Sequence, residues 1–458
     1  MGYRETDSLV MEQVPGRLSL EGLHSSVPVP PPSAGFWRQW RAFAGPAFLV
    51  SVGYMDPGNW GTGLEAGAKY GYGLLWVVAL SSLMAIVMQI LAARLGVVTG
   101  KDLAQACRDF YPGWTRLPNW LFCETAIAAC DLAEVLGSAV ALNLLFGIPL
   151  FWAVIITAFD VLLLLTLQGL GIRLIEAVIL VLVLTIGGCY FIELFVLPTT
   201  RPDFAEMGRA LVTPQLTNGM IVTAIGIIGA TVMPHNLYLH SALVQSRRHG
   251  TANATPDRAI RYNTIDTIIA LLVAFLVNAA ILVLAKLTFH ANAAAYPKDT
   301  DWIQVAYHTL TPLLGTSAAS TLFAVALLAS GQSSTITGTL AGQVVMEGFL
   351  HWRIRPWVRR LLTRLLAIIP AIFVIGARGD SKVTDLLVLS QVVLAMQLPL
   401  AMFPLLHFTS SRKRMGRYAS GWFLLATAWG SAVLITAMVL YGLPDSLQQA
   451  WAIVMGST

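Results

Sequence analysis

The chain has 458 residues, 56% of them hydrophobic and 12% charged, with a mean hydropathy of +0.69. A soluble domain carries about 25% charged residues, so this composition excludes a soluble enzyme, a disordered chain and a secreted disulfide scaffold. It leaves a polytopic membrane protein, and the net charge of +5 fits basic cytoplasmic loops rather than a nucleic-acid partner.

Residues 1–35 are polar and Pro-rich, with Val-Pro-Val-Pro-Pro-Pro at 27–32, and read as a disordered cytoplasmic tail with no signal peptide. Eleven apolar segments follow, at about 43–69, 72–97, 118–146, 149–168, 174–197, 217–246, 262–288, 316–346, 361–377, 384–407 and 418–442. They run about 20 residues without the alternation of a transmembrane barrel, so helices are expected. The transmembrane body is predicted over 36–442, with a short extracytoplasmic tail at 443–458. With the N-terminus inside, the cytoplasmic side holds 22 of the 29 Lys and Arg residues, which predicts N-in and C-out for a multi-pass protein of the cytoplasmic membrane. The sequon Asn253-Ala254-Thr255 then falls in a cytoplasmic loop and reads as chance. Cys107, Cys123, Cys130 and Cys189 have no metal-type spacing and read as small core side chains.

Segments one and six break their own helices. The first reads Gly53-Tyr54-Met55-Asp56-Pro57-Gly58-Asn59-Trp60 and the sixth Ala230-Thr231-Val232-Met233-Pro234-His235-Asn236. A mid-segment Pro removes a backbone donor, and freed carbonyls at membrane depth must line a cavity or be bound. Asp56 aligns with Met233, Pro57 with Pro234 and Asn59 with Asn236. Interrupted segments at equivalent places of a five-plus-five repeat (about 40–197 and 217–408, with an eleventh helix at about 418–442) point to a transporter site. Asp56 offers a carboxylate, Asn59 an amide oxygen and Met233 a thioether. Gly53 and Ala230 lie where unwinding exposes a carbonyl. A thioether favours transition metals over Mg²⁺ and Ca²⁺.

Segment three places Glu124, Asp131 and Glu134 on one helical stripe. Acids on one face of a membrane helix must pair or line water, and a proton route is the functional reading. A cationic partner is available on segment nine, in Arg359-Arg360-Leu361-Leu362-Thr363-Arg364, although Arg359 also reads as a cytoplasmic cuff. His235 follows the broken-helix Pro and can exchange protons near neutral pH. His240 is about 140° round the helix from it, so the two need not share a ligand. Gln89 and Gln391 read as helix–helix hydrogen bonds, and Asn278 and Asp160 have no evident partner. Gly338 and Gly342 form a small-residue seam with little functional content.

The Asp-Pro-Gly-Asn of segment one and the Met-Pro-His-Asn of segment six, on eleven spans, resemble the Nramp family of proton-coupled divalent metal transporters, the bacterial manganese type in particular. The resemblance implies an all-α, LeuT-like fold with two inverted five-helix repeats and discontinuous helices 1 and 6. It implies metal ligation by Asp56, Asn59 and Met233 and by the carbonyls of Ala230 and Gly53, with Gln391 joining in some states. It implies proton-route roles for Glu134, Asp131 and Glu124 with an arginine of segment nine, Arg364 before Arg360. Gly61-Thr62-Gly63 departs from the family's pattern and puts the outer vestibule's polarity in question.

The function expected is a proton-coupled importer of Mn²⁺, with Fe²⁺, Co²⁺ and Cd²⁺, working by alternating access. Protons would pass by Asp56, His235 and the segment-three acids. The metal is substrate, not cofactor. The other partners are the proton and membrane lipid, with no obligate protein partner. The alternative is an uncoupled metal channel or a metal-sensing membrane protein of the same fold. No nucleophile–base pair or cofactor motif suggests an enzyme.

Overall fold

A computed structural model describes residues 26–159, 172–196, 201–247, 255–291, 302–303, 305–306, 317–352, 354, 356–378 and 383–455. Among them there is no strand, only one isolated bridge between Val27 and Arg247. In chain order the helices are α1 (Phe36–Phe43), α2 (Pro46–Ser51), α3 (Pro57–Tyr70), α4 (Leu75–Thr99), α5 (Leu103–Phe110), α6 (Arg116–Phe146) and α7 (Leu150–Ile156). Then come α8 (Ile172–Phe191), α9 (Phe204–Val212), α10 (Ile221–Val232), α11 (Pro234–Leu243), α12 (Pro256–Phe289), α13 (Ser317–Leu350), α14 (Pro356–Arg378), α15 (Val383–Ser410) and α16 (Trp422–Met455). Asp160, the second half of segment four and Asn253-Ala254 of the sequon lie outside the described residues.

Seven of the described helices are long and apolar enough to cross a membrane by length and composition, and the two stretches Pro46–Met55 and Leu150–Phe159 are shorter apolar helices. The hydrophobic residues of α4, α8 and α16 that face outward, such as Leu83, Leu184 and Leu440, are what a lipid-facing surface requires. The four cysteines are buried and unpaired. α13 packs along α6, and α10 along α15.

The basic loops come together at one end. Arg258 donates to Gln39 at 2.7 Å, Arg94 to Ser420 at 3.3 Å, Arg108 to the Gly348 carbonyl at 2.6 Å, and Arg417 pairs with Asp257 at 2.9 Å. These contacts tie together the residues around 39, 94–108, 257–258, 348 and 417–420. A second set of loops is tied by Trp76 to the Gln215 carbonyl, Lys286 to Glu206 and His290 to the Ala68 carbonyl.

Both termini differ from the sequence expectation. Part of the predicted tail is held against the body: the Val27 N–H donates to the Ser246 carbonyl at 2.9 Å, and Val27 and Val29 are buried. Residues 1–25 lie outside the described residues. At the other end α16 runs through Pro444 to Met455, where a tail was expected from 443. Good helix formers such as Leu447, Gln448, Gln449 and Ala450 carry the helix beyond the proline.

Candidate metal site

The two sequence-predicted breaks are real, and both prolines sit at the first position of a new helix rather than inside one. There the missing N–H is no loss and the fixed φ is pre-set for the helix. The chain unwinds just upstream. In segment one a single 3-10 turn, Gly53–Met55, separates α2 from α3. Asp56 caps α3: its Oδ1 accepts from the Asn59 N–H at 2.9 Å and from Asn59 Nδ2 at 2.7 Å. In segment six the break is Met233 itself, with φ +34°. Left-handed backbone in a residue other than glycine costs about 1–3 kcal/mol and concentrates at functional sites.

The freed backbone groups find partners, as membrane depth requires. The Tyr54 carbonyl accepts from Asn278 Nδ2 at 2.8 Å, the Met55 carbonyl from Ser330 Oγ at 2.5 Å and the Ala230 carbonyl from Asn59 Nδ2 at 2.9 Å. Asn278 Nδ2 also reaches Asn59 Oδ1 at 3.2 Å. Asn278, which had no role on sequence, therefore fixes the orientation of a proposed ligand. Its only signal was a lone amide in an apolar run.

The predicted ligands converge. Asn59 joins Asp56 to the Ala230 carbonyl directly. At Gly53 a Cβ would lie 2.4 Å from Asn236 Nδ2 and 3.2 Å from Met233 Sδ, and at Gly58 it would lie 1.9 Å from Gln391 Nε2. Both glycines thus let helices close on the break. Asn236 donates to Met233 Sδ at 3.3 Å. Asp56, Asn59, Ala230, Met233, Asn236 and Gln391 are all buried. Among the described residues, Asp56 Oδ2, Asn236 Oδ1 and Gln391 Oε1 are buried acceptors with no donor, an arrangement that a cation would satisfy. Among the described residues no three His, Cys, Asp or Glu side chains cluster as a metal site. A cation here would meet one carboxylate, neutral oxygens and one thioether.

His235 is buried and its Nδ1 has no hydrogen-bond partner. His240 is engaged elsewhere: its Nδ1 meets Gln89 Oε1 at 2.9 Å, and Gln89 Nε2 donates to Tyr54 Oη at 2.6 Å. Gln89 is thus the helix–helix hydrogen bond expected of it, joining α4 to α11 and to the unwound turn. Gly61 and Gly63 of the departing Gly61-Thr62-Gly63 stretch face neighbouring helices. A Cβ on each would lie 2.9 Å from Leu387 and Ile281 respectively, so they are close-packing positions.

The three acids of α6 all face α14. Arg359 pairs with Glu124 at 2.5 Å. Arg360 reaches both Asp131 and, at 3.1 Å, Glu134. Arg364 lies 3.7 Å from Glu134 and 3.4 Å from the Thr157 carbonyl. Arg360 thus bridges the two deep acids, and Arg364 lies close to Glu134 as well, so both arginines stand beside the acid row. Arg359 is no free cuff. Glu134 also accepts from Ser334 Oγ at 2.9 Å and Thr335 Oγ1 at 3.0 Å. The seam on α13 explains how α13 comes so close: a Cβ at Gly338 would lie 3.0 Å from Glu134, and one at Gly342 would lie 1.9 Å from Arg359. Cys130 links the two regions, sharing a buried apolar cluster with Met233 and lying 3.7 Å from Glu134.

Comparisons with known proteins agree with this geometry. The Nramp model, described as natural resistance-associated macrophage protein-like, matches residues 47–444. A Nostoc protein named divalent metal cation transporter MntH is 51% identical over 438 residues, 94% of this chain and 97% of that one. A Bradyrhizobium diazoefficiens protein of the same name is 51% identical over 95% of this chain and 96% of its own. A crystal structure of the Eremococcus coleocola manganese transporter, bound to an aromatic bis-isothiourea substituted compound, matches with a TM-score of 0.84 at 38% identity, covering 94% of this chain and 91% of that one. A nucleobase-cation-symport-1 family transporter, at 13% identity and a TM-score of 0.60, shares the fold alone. Since the match takes in both broken helices, the acid row of α6 and its arginines on α14, the chain belongs to the Nramp family, an all-helical, LeuT-like family of transporters and not of enzymes.

Proposed function

We propose that the chain imports divalent transition-metal ions, Mn²⁺ foremost with Fe²⁺, Co²⁺ and Cd²⁺, together with protons, by alternating access across the cytoplasmic membrane. The observation that carries the reading is the buried break, where Asp56 Oδ2 and two amide oxygens lack donors beside a thioether. The names of the MntH relatives and of the manganese transporter support the substrate class. Asp56, Asn59 and Met233 with the Ala230 and Gly53 carbonyls hold the ion, and Gln391 joins them. Because these groups are buried, an ion reaches them only when helices move, which favours a carrier over an open channel.

Proton coupling rests on the row beside the site. Buried ion pairs are costly to keep, and acids inside a membrane protein mark proton routes. Asp131, Glu134 and Glu124 with Arg360, Arg364 and Arg359 form that row, and Asp56 and His235 stand at its metal end. The eleven spans, the two repeats and the N-in, C-out orientation belong to the same proposal.

The test is Mn²⁺ uptake into vesicles holding the pure full-length chain, with and without an inward proton gradient. The gradient should accelerate uptake, and Asp56→Ala should abolish it, since a dication left with neutral dipoles in a low-dielectric site is poorly compensated. In the pair Asp131→Asn with Glu134→Gln, metal entry should persist while lumen acidification falls sharply. Uptake indifferent to the gradient would favour the channel.

A further inference from the structure

At the end where the basic loops gather, a groove of about 1240 Å³ opens beside the start of the first broken helix. Its lining includes Arg38, Arg41, Arg173, Glu176, Trp37 and Leu180. The one carboxylate is already neutralised: Glu176 pairs with Arg173 and with buried Arg247, each at 2.9 Å. Arg173 also donates to the carbonyls of Arg41, Ala42 and Ala44. Arg38 and Arg41 are exposed and form no ion pair among the described residues. Among the described residues, the groove therefore presents two uncompensated guanidinium groups.

Its neighbouring surface is apolar. Trp37 is 71% exposed on α1, and on α8 Leu180, Val181 and Leu184 are 41%, 62% and 65% exposed. α8 belongs to a helix apolar enough to span a membrane, so those leucines and the valine face acyl chains. α1 is held in place from its other side, where Phe43 stacks on Tyr262 at 5.4 Å. Tryptophan beside arginine at the end of a spanning helix is the chemistry of the headgroup layer, and clustered basic residues there attract anionic lipid.

We propose that this groove binds one anionic phospholipid, its phosphate between Arg38 and Arg41 and its acyl chain along Leu180, Val181 and Leu184. A soluble anion would use the guanidinium groups but gain nothing from the apolar wall. A lipid uses both. The site is independent of the metal site, and nothing in the transport reading requires it.

Native mass spectrometry of the delipidated full-length chain, titrated with phosphatidylglycerol or phosphatidylcholine of matched acyl chains, tests it. One phosphatidylglycerol should bind about tenfold more tightly than phosphatidylcholine, and Arg38→Gln with Arg41→Gln should abolish that preference. Ala177→Trp keeps both arginines but fills the groove from exposed Ala177, another lining residue. It should weaken phosphatidylglycerol to the same degree, and it decides the matter alone if the double variant does not melt cooperatively. Inorganic phosphate in excess should leave the lipid bound. The proposal is overturned if the preference survives either folded variant, if the parent shows none because another segment covers the groove, or if phosphate displaces the lipid.

Discussion

Met233 carries two burdens at once, a backbone in the left-handed region and the thioether that meets Asn236 at the segment-six break. Replacing it with Ala would leave only oxygen donors, which suit hard ions. Mn²⁺ tolerates oxygen ligands and should lose modestly, while Cd²⁺ should lose far more. Ca²⁺ should lose nothing. The ratio of Cd²⁺ to Ca²⁺ uptake in matched vesicles should fall roughly tenfold, the equivalent of one discriminating contact of about 1.4 kcal/mol. A level ratio would mean that the sulfur does not face the ion. At this scale the sequence was most informative where a residue type was out of place: a carboxylate, an amide and a thioether beside a proline in an apolar run. It was silent on residues whose chemistry is ordinary for a membrane helix. Asn278 and Ser330 hold the unwound carbonyls, and neither has a spacing that announces it.

At the scale of elements, the first half-helix is held at its start by side chains from far along the chain. Asp266 Oδ2 accepts the N–H groups of Gly45 at 3.2 Å and Ala47 at 3.0 Å, so a carboxylate from α12 caps α2. Arg247 donates to the carbonyls of Ala42 at 3.2 Å, in the last turn of α1, and of Ala44 at 2.6 Å, just after it. Gly45 has φ +130°, and a Cβ there would lie 2.3 Å from the Glu176 carboxyl carbon. Gly45→Ala should therefore lose about 1–3 kcal/mol from backbone strain alone. It should also push Glu176 off its arginines, lowering the melting temperature in detergent. Calorimetric Mn²⁺ affinity should change little, since the ligands lie beyond the turn. Melting at the parent's temperature would refute the strain. Element periodicity made the acid stripe of α6 legible, because three carboxylates on one face need a partner. Which arginine serves which acid was not legible, since the axial register of α14 against α6 depends on the closeness allowed by Gly338 and Gly342 on a third helix.

For the whole molecule, the hydrophobic pattern makes the all-helical membrane architecture legible, because a bilayer admits few solutions. What it misses lies at the two ends: Val27 and Val29 are buried ahead of α1, and α16 stays helical beyond Pro444. The proposed orientation has a direct check. The native cysteines are all buried, so single cysteines at exposed Lys413 and Thr213 should report labelling from opposite faces. Lys413→Cys should react with an impermeant maleimide only in opened cells, and Thr213→Cys in intact ones. Reaction of both in intact cells would end the N-in, C-out assignment.

The lacing of the basic loops into one end bears on direction of flow. Guanidinium groups crowded at one mouth raise the local potential, and a dication feels that potential twice over. Within about 8 Å of that surface at physiological ionic strength, free metal is depleted relative to bulk. Release of an ion there is eased, and its approach from that compartment is slowed, in proportion to that depletion. Whichever compartment that end faces, the molecule is biased as a rectifier: loading is easier from the opposite face, and the bias fades as salt screens it.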